Sequence, residues 1–325
     1  MRLCISFLSG LLVLTALPAS GEPTHIKFGV IASSARTIGA LPPAIAERQG
    51  FFARENLHVE LVGLRGVEHQ IAALDKLEVE ITHTATPYLI QAVLNGSDAV
   101  AVVGGGANNL LTFLAKPELK DYASLKGKVI GMSLPQDTIS IATRMLLRKN
   151  GLADTDYTIE ERIGPLRSQC LMKGECDAAA VNQPTDILMM RQGYNKLGDS
   201  LDVIPVLQFN MLAARRAWAV QNKDTVVRFA RAMGASYAFM RDEKNRDAVI
   251  AMIVEITGST PDVAREMLRL YYEPDRGILP RQAEISVPGV EKVIELLSQS
   301  GELKAPLPKA DRFIDLTYLR EAGLQ

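Results

Sequence analysis

The sequence predicts an α/β protein of two similar lobes, each a mostly parallel sheet flanked by helices. Three observations predict it. Strand-like and helix-like segments alternate from His25 onward, and the same order of segments returns from Lys128. After Lys223 the chain changes to amphipathic helices alone. Alternating strands and helices imply parallel pairing with right-handed crossovers, and a layout that occurs twice implies two lobes.

In the first lobe, residues 25–31 are expected as a strand and 41–49 as a helix stopped by Gly50. Residues 58–64 alternate as a strand, 67–77 read as a helix, and 78–82 as a short strand. A helix over 87–94 ends near Gly96, and 99–103 is a strand. The second lobe repeats this with strands at 128–132, 157–162, 177–181 and 203–207. Its helices are expected at 138–149, 166–173 and 185–192, each ended by a nearby glycine. In the tail, Val226, Phe229, Ala230, Met233, Tyr237 and Met240 share one face of a helix over 223–241. Further helices are expected at 245–257, 261–271, 290–297 and 317–322, returning to cover the first lobe. Thr260-Pro261-Asp262 starts one of them with a hydroxyl cap and a first-turn proline.

Composition narrows the function. A chain of 325 residues has room for two domains, and 47% hydrophobic with 22% charged residues describes a well-cored protein. A net charge of −1 projects no field toward nucleic acid or a membrane surface, and 6% aromatic residues make a poor base-stacking platform. Residues 1–21 read as a secretory signal: Arg2, an apolar run over 4–17, then Ala19-Ser20-Gly21, with cleavage expected before Glu22. That apolar run of 14 residues is shorter than the roughly 20 a membrane-spanning helix needs. The expected location is the periplasm, as a protein soluble after cleavage. Two of the three cysteines then remain, Cys170 and Cys176, on either side of Gly174. In an oxidising compartment they read as a short-loop disulfide, the alternative being two unpaired thiols, since so small a loop restricts the geometry.

Polar residues collect where strands hand over to helices, the place where open α/β sheets bind ligands. In the first lobe, Ser33, Ser34 and Arg36 follow the first strand, and Thr84 and Thr86 flank the next such turn beside His83. In the second, Gln136, Asp137 and Thr138 occupy one turn, with Ser133 and Ser140 nearby, and Asn182 and Gln183 occupy another. Free N–H groups and the helix dipole favour an anion at such positions. Four such turns, two in each lobe, would face one another if the lobes close. Each group also has a purely structural reading. The hydroxyls and Asp137 suit helix caps, Arg36 suits a surface charge, and His83 suits a packed histidine.

Other chemistries lack their residues. His25, His58, His69 and His83 have no metal-ligand spacing, and no G-x-S-x-G nucleophile turn occurs. Gly104 to Gly106 have no downstream Lys-Ser/Thr for a phosphate loop and suit a close backbone approach instead. No cofactor and no metal are expected, and the chain reads as a non-enzyme.

Several stretches resemble the periplasmic substrate-binding proteins of ABC importers, in the nitrate/sulfonate/taurine and thiamine-pyrimidine-precursor binding group. They are IKFGVIASS (26–34), GFFARENLHVELV (50–62), SLKGKVIGMS (124–133) and LMKGECDAAAVNQP (171–184). The resemblance implies a type II periplasmic binding protein fold with two crossover strands, placed near 106–116 and 208–217. It implies a first lobe over 22–110 and 214–325, and a second over 111–213. Carried over turn by turn, ligand contacts fall on Ser33, Ser34, Thr84, Thr86, Thr138 and the Asn182-Gln183 pair. Many relatives have small hydroxyl or glycine residues at Gln136 and Asp137, and a Trp-Glu pair at Asn182 and Gln183. Those departures argue against the usual sulfonate or taurine. The implied partners are a small-molecule ligand and the inner-membrane permease and ATPase of an ABC importer, served by a monomer. The alternatives are a sensor or a different transporter as the partner, or a catalytic relative like the fungal pyrimidine synthases. The latter need an iron site and a cysteine cluster.

Overall fold

The structure is a computed structural model. It describes residues 21–32, 35–108, 110–272 and 278–325. The expected signal segment, apart from Gly21, lies outside the described residues. The strands are β1 (Thr24–Ile31), β2 (Leu57–Leu64), β3 (Ile81–Ala85), β4 (Ala99–Gly104), β5 (Thr112–Ala115), β6 (Val129–Met132), β7 (Thr158–Glu161), β8 (Ala178–Val181), β9 (Asn195–Asp199) and β10 (Asn210–Arg215). The helices are α1 (Leu41–Arg48), α2 (Phe51–Arg54), α3 (Val67–Asp75), α4 (Thr86–Leu94), α5 (Thr138–Lys149), α6 (Leu166–Met172) and α7 (Thr185–Arg191). They continue with α8 (Arg216–Gln221), α9 (Lys223–Arg241), α10 (Arg246–Thr257), α11 (Pro261–Tyr272), α12 (Val287–Gln299) and α13 (Thr317–Glu321).

The strands make two five-stranded sheets, ordered β2-β1-β3-β10-β4 and β7-β6-β8-β5-β9. Counted from its own first parallel strand, each sheet has the same order. In each, one strand runs against the other four: β10 is antiparallel to β3 and β4, and β5 to β8 and β9. The mostly parallel, duplicated α/β architecture therefore stands, and the inserted antiparallel strand is what the alternation of segments did not reveal.

The chain passes from β4 to β5 through residues 105–111, and returns from β9 to β10 through 200–209. The two crossover strands fall where the resemblance put them: β5 lies within 106–116 and β10 within 208–217. The strand expected at 203–207 is absent; its place in the sheet belongs to β9, whose NKLGD sequence carries no apolar alternation. β3 also begins and ends later than expected, which puts His83 and Thr84 within the strand rather than in the turn after it.

The largest core lies on the first sheet and its tail helices. Phe229 of α9 meets Phe28 of β1 edge-on at 5.5 Å and stacks on Phe52 of α2 at 5.6 Å. The tail thus covers the first sheet as its periodicity implied. Ile141 and Ala142 of α5 and Ile187 of α7 join that same core, so helices of the second sheet pack on the first. Cys170 and Cys176 are disulfide-bonded and buried, fixing the end of α6 to the approach of β8.

The first crossing starts in contact with backbone on both sides. A Cβ added at Gly104 would overlap the carbonyl oxygens of Glu284 and Ala283, and one at Gly105 would overlap the Asn210 side chain. Gly104→Ala should therefore cost about 2 kcal/mol or more, as overpacking against rigid backbone does. Gly63→Ala, with ordinary space around it, serves as the control. Urea midpoints measure both, and equal midpoints would contradict this account of the crossing.

Candidate functional site

Parallel direction brings the candidate residues of the second sheet to one edge. β6, β7 and β8 run side by side, so the turns leaving them lie together at their carboxyl ends. The turn after β6 opens α5, the turn after β7 opens α6, and Asn182-Gln183 lead from β8 into α7.

Asp137 is the N-cap of α5: one carboxylate oxygen accepts from the Ile139 N–H at 3.1 Å, and the other from Ser133 Oγ at 2.8 Å. It caps as its structural reading required, and its charge takes the place by the helix start that an anion would otherwise fill. Gln136 is partly exposed beside it.

Thr138 and Ser140 are buried, and their hydroxyls have no hydrogen-bond partner. Gln183 is 4% exposed, and neither atom of its side-chain amide is paired. Arg167, at the second position of α6, is 1% exposed. Its Nε donates to the Ala180 carbonyl at 2.9 Å and its Nη2 to Asn182 Oδ1 at 2.8 Å, while Nη1 has no partner. Burial works against the Arg167 charge, and the nearby Asp137 carboxylate supports it. Ile139, between the two unpaired hydroxyls, packs with Ala180, the residue that accepts from Arg167. Five unpaired buried polar atoms thus gather at one sheet edge. Folded proteins leave few such atoms, and each costs about 1–3 kcal/mol.

The first sheet presents the corresponding edge. Ser33 and Ser34 lie outside the described residues. Arg36 is exposed, with its guanidinium near Gly258 at the C-terminal end of α10. Thr84 is buried within β3, and its hydroxyl donates to the Ala85 carbonyl at 3.4 Å, a long contact. Thr86 opens α4 and donates its hydroxyl to the Gln208 carbonyl at 2.6 Å, on the return crossing. Gln70, in the first turn of α3, is fully buried with both side-chain amide atoms unpaired. Tyr88 of α4 lies within electrostatic reach of both edges. Burial raises its phenol far above the ordinary value, and the carboxylates of Asp137 before α5, Glu68 in α3 and Glu161 at the end of β7 add to that.

The structure therefore brings Gln136, Asp137, Thr138, Asn182 and Gln183 together and sets Thr84 and Thr86 on the other side. Asn182 holds Arg167 and is itself exposed. Sequence reasoning missed Arg167, Gln70 and Tyr88. The available signal for Arg167 was its place just after the Gly164-Pro165 turn, where a strand of the repeated layout hands over to a helix.

Among the described residues, no group of three His, Cys, Asp or Glu side chains could hold a metal ion. No helix among them is long and apolar enough to cross a membrane.

A model of the NMT1/THI5-like family matches residues 40–246, more than half of the chain, so the chain belongs to that family. A putative thiamine biosynthesis protein from Haemophilus influenzae is 30% identical over 138 residues, 41% of this chain and 43% of that relative's length. The ligand-binding component of an ABC-type import system from Staphylococcus aureus, solved with zinc bound, superposes with a TM-score of 0.76 at 17% identity, covering 93% of this chain and 100% of that one. The periplasmic nitrate-binding protein NrtA from Synechocystis PCC 6803 superposes with a TM-score of 0.73 at 17% identity, covering 93% and 89%. At these identities the likeness establishes the fold, that of periplasmic binding proteins.

His83 supplies a pH test of this edge of the first sheet. Burial lowers its pKa from 6.5 to about 4, only partly offset by a hydrogen bond to the Asn210 side chain. Between those values the unfolded chain takes up a proton that the folded chain refuses, so stability falls as pH drops through this window. The ceiling is about 3 kcal/mol, taking 1.4 kcal/mol per pH unit. Denaturation of the native protein and His83→Gln between pH 7 and 4 should show the variant losing less. Parallel profiles would contradict this.

Proposed function

We propose that this chain is an extracytoplasmic solute-binding protein. It captures a small polar, anionic organic ligand between two lobes and delivers it to the permease of an ABC importer. The observation that carries the reading is the set of buried, unpaired polar atoms at the carboxyl edge of the second sheet, opposite Tyr88 and α4. The names of the similar structures support the same reading: one is a component of an import system and the other a periplasmic binding protein. Residues 22–110 and 214–325 form one lobe of the proposed device and 111–213 the other, with the two crossings as its hinge.

Capture follows from an open–closed equilibrium biased by a ligand that touches both lobes. Closure exchanges water for oriented donors and acceptors, each hydrogen bond contributing about 0.5–1.5 kcal/mol net and more to a charged group. In this reading Thr138 and Gln183 contact the ligand, joined by Ser140, while Thr84, Ser33, Ser34 and Arg36 belong to the opposite jaw. Asp137, Asn182 and Thr86 hold the parts that make contact, and Gln136 lines the rim. Arg191 of α7, paired with Asp262 at 2.6 Å and Glu266 at 3.3 Å on α11, ties one lobe to the other on the surface. The protein works as a periplasmic monomer without catalysis, its partners being the permease and its ATPase.

Native mass spectrometry of protein purified from the periplasm should find a retained small molecule. The ligand-free protein should melt higher when that molecule is returned, by RT ln(1 + [L]/Kd) in free energy. Thr138→Val combined with Gln183→Leu should lose the adduct and the shift together. An adduct-free protein whose melting ignores organic acids, sulfonates and pyrimidines would overturn the reading.

A further inference from the structure

We propose that Arg167 is the charge-recognition residue of the site, and that it selects a ligand carrying one monoanionic group, a carboxylate or sulfonate. The inference rests on the solute-binding reading and names the ligand class and the residue that reads it.

The guanidinium is built into the protein and left incomplete. Two of its nitrogens are fixed by the Ala180 carbonyl and Asn182 Oδ1, both neutral acceptors. The third, Nη1, is buried with no acceptor. Among the described residues no carboxylate lies within ion-pair distance of it. A buried cation held only by neutral acceptors is costly, and an oxyanion against Nη1 would satisfy both the free N–H groups and the charge. The neighbouring atoms suit the same guest. Thr138 and Ser140 each offer a free O–H, and Gln183 offers a free N–H and a free carbonyl.

Asp137 sets the limit on ligand charge. Its carboxylate lies close enough to influence Arg167 and is already committed to Ile139 N–H and Ser133. A single negative charge can sit against Arg167 at the cost of modest repulsion from Asp137. A dianion, such as a fully ionised phosphonate, would meet that repulsion doubled, and Arg36 of the opposite jaw, being exposed, offers only a solvent-screened charge against it. Gln183, with a donor and an acceptor both open, is placed to read a neutral amide-like or heterocyclic part of the same ligand.

The test uses matched probes on refolded, ligand-free protein at about pH 9, where both phosphonates carry two charges and a guanidinium stays protonated: benzoate, benzenesulfonate, phenylphosphonate and benzamide, with propionate, ethanesulfonate, ethylphosphonate and propionamide as the aliphatic set. Calorimetry and thermal melting read affinity. The native protein should bind at least one carboxylate or sulfonate on the order of tenfold more tightly than its amide and its phosphonate. In Arg167→Met that preference should collapse toward equality, whereas a merely structural role would weaken every probe alike. Should Arg167→Met not fold, Arg167→Lys serves: it keeps a charge and loses the fork, and should weaken the monoanion several-fold. Tight binding of an amide or phosphonate that survives either substitution would overturn this inference and leave the solute-binding reading standing. No binding of any probe would count against both.

Discussion

Both connections between the sheets run through one hydrogen-bonded knot, and the relation of the two halves depends on it. Gly106 donates its N–H to Asn210 Oδ1 at 2.6 Å, and its carbonyl accepts from the Phe209 N–H at 3.0 Å. Gln208 is wholly buried; its Nε2 donates to the Asn210 carbonyl at 2.8 Å, and its Oε1 accepts from the Ser286 N–H at 2.7 Å. Thr86 ties α4 to the same place through the Gln208 and Phe209 carbonyls. Two chain crossings, the tail and a helix bearing the polar edge are thus locked to one another. Because Gly106, Gln208 and Thr86 are buried, losing one of their partners would leave a buried polar group unsatisfied.

The contrast between two glutamines describes the molecule. Gln208 and Gln183 are both buried, yet the first has its amide satisfied and the second has neither atom paired. The fold completes its hydrogen bonds where it must hold and leaves them open where the proposed ligand arrives. Arg167 combines both conditions in one side chain, with two nitrogens anchored and one open. In the proposed mechanism, free energy withheld in this way is recovered when a guest of the right shape and charge binds.

Much of the architecture was legible because it rests on periodicity. Helix α5 and helix α9 occupy the residues that their caps and apolar faces predict, and β1 and β2 follow from alternation. What escaped were strands without a pattern. β5 is buried at all four residues, so no polar side alternates with an apolar one, and β9 is nearly all polar or small. The site was legible in part. Turns rich in hydroxyl and amide residues mark the carboxyl ends of strands, and Thr138 and Gln183 lie where that rule placed them. Capping and ligand contact use the same residue types, so Asp137 could be resolved only by seeing its partners. Arg167 was hidden because a charged residue on a short helix reads as surface, and burial of its guanidinium depends on residues 13 and 15 positions away. The nearness of Tyr88 to Asp137 likewise depends on helices α5 and α7 packing onto the core of the first sheet, which no local pattern encodes.

The central claim is that the open polar atoms beside Arg167 are the seat of a bound molecule. A crystal structure of the protein purified from the periplasm, without refolding, tests it most directly. The account predicts density for a small molecule between the two sheets, with an oxygen against Arg167 Nη1 and polar atoms against the Thr138 hydroxyl and the Gln183 amide. Density for a guest elsewhere, with those atoms paired to protein groups or ordered water alone, would contradict it.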